Sequence, residues 1–291
     1  DCKQTAITAL TLLNDGRFDT GVLKRSSVLH VLKNNLDEIF ITTAKIAGKA
    51  NAPFSLIDFA TRDQLCPPEN SEQTLVINAG KFEPEGDNCD AVLIVKAVKL
   101  GWRRFILFQC RGQRFTGCGC GPATKGVRID VYGASGDYLA SGIDGMEIYV
   151  HGNAQDQLCQ IMKDGKLVVF GDVGQTFMYG AKGGAAYIMG NAAGRPLINA
   201  VGKPRVVING TALDYLAESF MAGDPLNGGG FVVLNGIGFN DDDGSIRELE
   251  SPYPGSNIFS LASGGAIYVR DPNRKLVDEQ LNGGEFARIA D

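Results

Sequence analysis

Residues 127–133 read VRIDVYG, 146–152 MEIYVHG, 166–171 KLVVFG and 185–190 AAYIMG, and the closing glycines Gly133, Gly152, Gly171 and Gly190 stand nineteen residues apart. RVVING, closing at Gly210, and FVVLNG, closing at Gly236, follow after twenty and twenty-six residues. A fixed period of this size marks a chain that stacks one supersecondary unit on the next. Such a solenoid is a rigid surface, better suited to holding partners than to performing chemistry.

Within each unit two positions are apolar every time. The first column is Ile129, Ile148, Leu167, Ala186, Val206, Val232 and Ile267; the second, two residues on, is Val131, Val150, Val169, Ile188, Ile208, Leu234 and Val269. Residues two apart point to one face of a strand, so stacked units form two continuous aliphatic columns. Beyond each closure come a small residue (Ser135, Ala154, Val173, Ala192, Ala212) and then a large one (Leu139, Leu158, Phe177, Leu216). Large over large and small over small fills a narrow interior without voids. Glycines at 126, 145, 165, 183–184, 229–230, 264–265 and 283–284 precede the strands as corners. The pattern predicts a parallel β-helix, roughly eight coils and on the order of 35–40 Å long at one strand spacing per coil. Residues 238–256 (GFNDDDGSIRELESPYPGS) break the register as an acidic insertion.

Ahead of the repeats, residues 1–72 read as a helical section, with a helix expected over Lys24–Ala47 and a stop at Gly48. His30 falls in that helix, as a surface or half-buried side chain. Pro67-Pro68 mark a linker. Residues 73–125 read as a small α/β cap. A strand is expected at Thr74–Asn78, a helix capped by Asp87 and running to Leu100, a strand at Trp102–Gln109, and a tight turn at 111–113. The cap should cover the exposed strand edge of the first coil.

Composition excludes several classes. Lys+Arg 28 against Asp+Glu 33 gives a net charge of −5, with neither the basic footprint of a nucleic-acid binder nor a polybasic membrane patch. The apolar runs are too short to span a bilayer, and residues 1–13 do not have the layout of a signal peptide. Seven cysteines, an odd and scattered set, fit free thiols in a reducing, cytoplasmic setting. Cys118 and Cys120, in Gly117–Gly121 (GCGCG), with Cys110 nearby, are the candidate ligands for a metal or iron–sulfur cluster. No second ligand pair follows, and packing in a glycine-rich crossing is the simpler reading. The same GxGxG lacks the following helix of a dinucleotide fingerprint. Asp137, Asp156 and Asp214 recur in step with the units, with Gln175 replacing Asp once, which favours corner hydrogen bonding over acid–base work. His151, before its closing glycine, points away from the aliphatic columns as a surface or interface residue. No nucleophile–base constellation emerges.

The block Tyr132–Gly236, above all GASGDYLASGIDGMEIYVHGNAQDQLCQIMKDGKLVVFGDVG, resembles the GXGXG domain of glutamate synthase, the C-terminal right-handed β-helix of its large subunit. Val76–Gly121, with EPEGDN, GWRRFILF and RGQRFTGCGCG, is similar to the lead-in of single-domain versions. A further similarity is to the β-helical subunit of formylmethanofuran dehydrogenase. Phe177-Met178-Tyr179, the 238–256 insertion and residues 1–72 depart from the pattern.

The resemblance implies a mainly β fold: a right-handed parallel β-helix over 126–291, preceded by the 73–125 cap and the 1–72 helical section. It implies a structural, docking subunit of an oxidoreductase complex, with no catalytic residue and no cofactor of its own. FMN or FAD and iron–sulfur clusters would belong to catalytic partner subunits, which could include a glutamine amidotransferase, with no nucleic-acid or membrane partner. Two other readings remain: a component of a split glutamate synthase that assists ammonia transfer, and an electron relay holding a cluster on Cys110, Cys118 and Cys120.

Overall fold

In the computed structural model the described residues are 2–46, 52–122, 124–282, 287 and 289. The two aliphatic columns are present and longer than the repeats alone suggest. Among the described residues there is one ten-stranded, all-parallel sheet: β1 (Phe54–Ile57), β2 (Thr74–Asn78), β3 (Arg104–Gln113), β4 (Arg128–Ser135), β5 (Asp144–Val150), β6 (Asp164–Val169), β7 (Ala185–Ile188), β8 (Arg205–Ile208), β9 (Phe231–Leu234) and, last in the sheet, β12 (Ala266–Val269). β10 (Ile237–Phe239) and β11 (Ile246–Glu248) form a separate antiparallel hairpin inside the insertion. The register carries Leu75 and Phe105 onto Ile129, and Ile57, Ile77 and Leu107 onto Val131. Both columns therefore run without a break from the lead-in into the repeats, and from β2 to β9 their side chains are almost wholly buried.

This corrects the expected fold. The right-handed parallel β-helix of about eight coils is not what the chain forms; its regular structure is a single parallel sheet, and the nineteen-residue period counts successive returns to that one sheet. The return path is not made of strands, because every unit places alternate residues at positive φ. Tyr138 and Ala140, Gln157, Cys159 and Ile161, Thr176 and Met178, Arg195, Leu197 and Asn199, and Tyr215, Ala217 and Ser219 all lie between 51° and 64°. Left-handed backbone costs a non-glycine residue about 1–2 kcal/mol. It persists here because the curled backbone is hydrogen-bonded in two directions. Met178 N–H reaches back to Leu158 O (2.7 Å), while Thr176 N–H reaches forward to Gly194 O (3.0 Å). Leu139, Leu158, Phe177 and Leu216 are fully buried inside these stacked turns. The small-residue column appears as single bridges, Ser135 to Ala154, Val173, Ala192 and Ala212 in turn.

The closing glycines answer to side chains as well as to backbone. A Cβ on Gly171, Gly190 or Gly210 would lie 2.0–2.2 Å from the side-chain oxygen of Asn153, Asp172 or Asn191, one unit earlier. Those oxygens accept the N–H of Asp172 (2.9 Å), Asn191 (2.7 Å) and Thr211 (2.9 Å), pinning each corner to the next. Gly190→Ala would also bring its Cβ within 2.8 Å of Gly171 O. Such overpacking is expected to cost about 1–3 kcal/mol. Urea unfolding checks this, and an unchanged midpoint would remove the corner ladder as the reason for the glycine.

Before the repeats, α1 (Cys2–Asp15) and α2 (Arg25–Ile41) cover the outward face of β1–β4, and α3 (Asp90–Lys99) packs on the inward side. Four details differ from expectation. α2 stops at Ile41 rather than Ala47, where Thr42 and Thr43 turn their hydroxyls back onto the helix carbonyls. α3 starts at Asp90, with Cys89 rather than Asp87 in the cap position. β3 runs through the expected 111–113 turn with shifted register, Gln109 and Gly112 taking positive φ. β1 answers to FSLI, whose twenty-residue step to TLVI was a legible signal. Gly48, Gly283-Gly284 and most of the segment after them lie outside the described residues. Among the described residues no helix is long and apolar enough to cross a membrane.

Candidate functional site around His151

His151 follows β5, one residue past the second aliphatic column. Its ring turns outward, away from that column, yet its side chain is only 2% exposed because α1 lies over it. The ring stacks between Tyr132 (centroids 4.3 Å apart) and Phe170 (5.5 Å), its neighbours in the adjacent units. Tyr132 is held by Phe40 of α2 and by a 2.7 Å hydrogen bond with Thr11 of α1. The sequence placed His151 on the right face. What it did not show is that residues more than a hundred positions away bury it.

Both ring nitrogens meet carboxylates: Nδ1 lies 2.8 Å from Asp15 Oδ2 and Nε2 3.2 Å from Asp130 Oδ1. A ring that donates from both nitrogens is an imidazolium. Burial pulls its pKa down, but the hydrogen bonds to Asp130 and Asp15 more than offset this, and the net direction is up. Burial likewise pushes the Asp130 carboxyl up, while Arg128 and His151 bring it below its ordinary value overall. Arg128 grips Asp130 through Nε and Nη2 at 2.8 and 2.7 Å.

The position of Asp15 has its own logic. It is the last residue of α1, a place where an anion opposes the helix dipole and where α1 has no basic side chain. The imidazolium adds a cation there to the guanidiniums of Arg17 and Arg25, which donate to Asp15 O and Asn14 O (both 3.3 Å), and Asn14 Nδ2 donates to His151 O (3.3 Å). The arrangement is an ionic clamp fixing the end of α1 to the sheet. Beside it lies a cavity of about 260 Å³, lined by His30, Lys33, Asp37 and Tyr132 among others. With both nitrogens of His151 committed to carboxylates, the ring has no lone pair to offer as a base to that cavity.

The raised His151 pKa fixes the sign of a pH effect. The clamp's contribution is complete below the ordinary histidine value of 6.5 and is lost as pH rises through the raised folded value. Asp130 adds the opposite limit: its contribution is present above 3.8 and is lost as pH falls through the depressed folded value. Thermal stability is therefore expected to peak between these limits and to fall on the alkaline side. Hydrogen exchange should show α1 opening first; a flat profile from pH 6 to 9 would count against a charged clamp.

The other sequence candidates lie elsewhere. Cys110 is buried on β3, in register with Gly133. Cys118 Sγ donates to Tyr138 O (3.0 Å), and burial pushes its thiol up to about 12. Burial moves Cys120 up to about 11 and drives Cys110 further in the same direction. These environments favour the protonated thiol and leave all three poor nucleophiles. Among the described residues no group of three or more His, Cys, Asp or Glu is placed to hold a metal ion.

Asp137, Asp156 and Asp214 each accept the backbone N–H of the following unit, from Asp156 (3.2 Å), Gln175 (2.8 Å) and Ser256 (2.7 Å). Asp90, like Asp15, is a buried acid that sequence reading passed over. It opens α3, burial raises its pKa to about 7, and Thr116 Oγ1 donates to its Oδ2 at 3.4 Å. An Asp just before an apolar helical run was its only signal.

Comparison with known proteins places these features in a family. Residues 112–287, more than half of the chain, match the family described as GXGXG motif. Ferredoxin-dependent glutamate synthase 2 of Synechocystis sp. is 31% identical over 128 residues, which is 39% of this chain and 8% of that protein. The chain thus matches a small part of that relative's length. No solved structure matches it. The stacked glycine corners and the units they close fall inside the matched residues, and the chain belongs to the GXGXG family, of the glutamate synthase type.

Proposed function

We propose that the chain is a non-catalytic docking subunit of a multi-subunit, glutamate synthase-like oxidoreductase in the cytoplasm. In this reading FMN or FAD and the iron–sulfur clusters sit in its catalytic partner subunits. The observation that carries the reading is how the repeat's polar side chains are used. The recurrent Asp and Asn residues pin one corner to the next, and His151 is closed between two carboxylates. A stacked, side-chain-pinned sheet is a rigid platform.

Purification of the native complex through a tag on this chain, followed by flavin and iron analysis, tests it. Flavin- and iron-containing dehydrogenase or synthase subunits are expected to accompany the chain. Recovery of the chain by itself, or turnover by the chain alone, overturns the reading. The relationship to a ferredoxin-dependent glutamate synthase favours a second reading, a split synthase that passes ammonia between glutaminase and synthase subunits. A co-purifying glutaminase selects it. What weighs against the cluster-relay reading is placement: among the described residues no three of His, Cys, Asp or Glu stand together as a metal-ligand group.

A further inference from the structure

A parallel sheet is normally covered on both faces. Here the outward face is covered by α1 and α2 over β1–β4, where Ile7, Leu36 and Phe40 pack on Phe54, Leu56, Val76, Ile106, Phe108 and Tyr132. Further along, the outward central column continues as Tyr149, Val168, Tyr187, Val207, Val233 and Tyr268, in unbroken register. None of the six is buried, and Tyr187 is 46% exposed. Charge borders this column on one side. Arg205 opens β8 on the outward face, and Lys182 and Lys203 stand at the corners leading into β7 and β8. All three are exposed, and none is ion-paired among the described residues. Along β7–β9 the opposite border, Met189, Asn209 and Asn235, is neutral and hydrogen-bonded within itself, and the cations at its two ends, His151 and Arg270, are already paired with carboxylates.

α1 shows what fits such a surface. It lies across the strands, with Thr11 on Tyr132 of β4 and Asn14 on the next unit's His151. One helical turn of about 5.4 Å nearly matches the strand spacing of about 4.8 Å, so residues three or four apart meet successive strands.

We propose that the Tyr149–Tyr268 column receives one amphipathic α-helix from a partner chain, laid across the strands as α1 is, with carboxylates along the edge facing Lys182, Lys203 and Arg205. Six strands span about 24 Å, the length of a helix of about 16 residues. The face is three residues wide, about 10 Å, which is one helix diameter. Its area, on the order of 250 Å², falls well short of the roughly 800 Å² per partner that a stable sheet-on-sheet dimer needs. The proposal rests on the docking reading and names its surface.

The test titrates the full chain with a fluorescent helical peptide of about 16 residues, carrying leucines at i, i+3/i+4 spacing and glutamates along one flank. A twin peptide carries lysines in place of the glutamates. Saturable one-to-one binding of the glutamate peptide is expected, weakened at least about tenfold by Tyr187→Asp or by Lys182→Glu with Arg205→Glu, and at least about tenfold weaker for the lysine twin. Circular-dichroism melts confirm that the variants fold, and Val207→Asp provides an independent second lesion. Equal affinity for the two peptides, binding indifferent to Tyr187→Asp, or self-association of the chain through this face overturns the proposal. Introducing Tyr187→Asp into the tagged native complex separates the two claims. If the partner subunits stay bound to the variant, the docking reading stands and this surface falls. If the wild-type chain recovers no partner while the peptide discriminates as expected, the docking reading falls and the surface stands.

Discussion

His151→Leu is expected to destabilise the protein by about 3–5 kcal/mol near pH 6, the range seen when one member of a buried ionic group is removed. Leucine fills much of the ring's volume, so the loss is mainly electrostatic. Asp15 and Asp130 would be left 9% and 15% exposed, 136 and 21 residues from His151 in the sequence, without the cation between them. Arg128 still serves Asp130, so Asp15 bears most of the cost, at the helix end least suited to an anion. Urea unfolding gives the magnitude, and hydrogen exchange should locate the first loss of protection in α1. Adding Asp15→Leu to His151→Leu should recover part of the loss, since a paired charge and a well-packed apolar replacement are often close in stability. A loss below about 1 kcal/mol, or no recovery in the double variant, would show that the clamp is not ionic in effect.

Phe177→Ala is expected to cost about 3–5 kcal/mol, the range for deleting a fully buried aromatic ring. Phe177 lies inside the stacked turns, between units that present Leu158 and Leu197, and Leu197 N–H bonds directly to Phe177 O at 2.7 Å. The left-handed backbone on either side, at Thr176 and Met178, holds the stack in place and limits collapse into the cavity. Phe177→Leu, matching the residue most other units carry here, should cost much less. Thermal or urea unfolding of the pair checks both numbers. Equal losses for Ala and Leu would mean the unit repacks freely, against the tight stack described above.

These two sites also divide what could be read from the chain. The aliphatic columns, the small-residue column and the buried large residues of the turn stack were legible, since each recurs at one position in every unit and needs only period-two alternation and a nineteen-residue step. The fold drawn from them was wrong. A run such as DYLASGID does not announce that Tyr138 and Ala140 take left-handed backbone, because that conformation is stabilised by hydrogen bonds to neighbouring units and not by local propensity. The closing glycines were legible as corners, but the reason for three of them, an Asn or Asp oxygen from the previous unit in the space of their Cβ, depends on the stacking itself.

The sequence by itself determined which residues face inward, where the units begin and end, and membership of a repeat family, because these follow from periodicity along the chain. Only the tertiary structure decided that the units return to one sheet, that α1 and α2 cover its first strands and leave the Tyr149–Tyr268 column partly exposed, and that His151 is a clamped cation rather than a surface side chain. Each of those depends on contacts between residues far apart in sequence, and local pattern carries no record of which distant carboxylate or helix end will arrive.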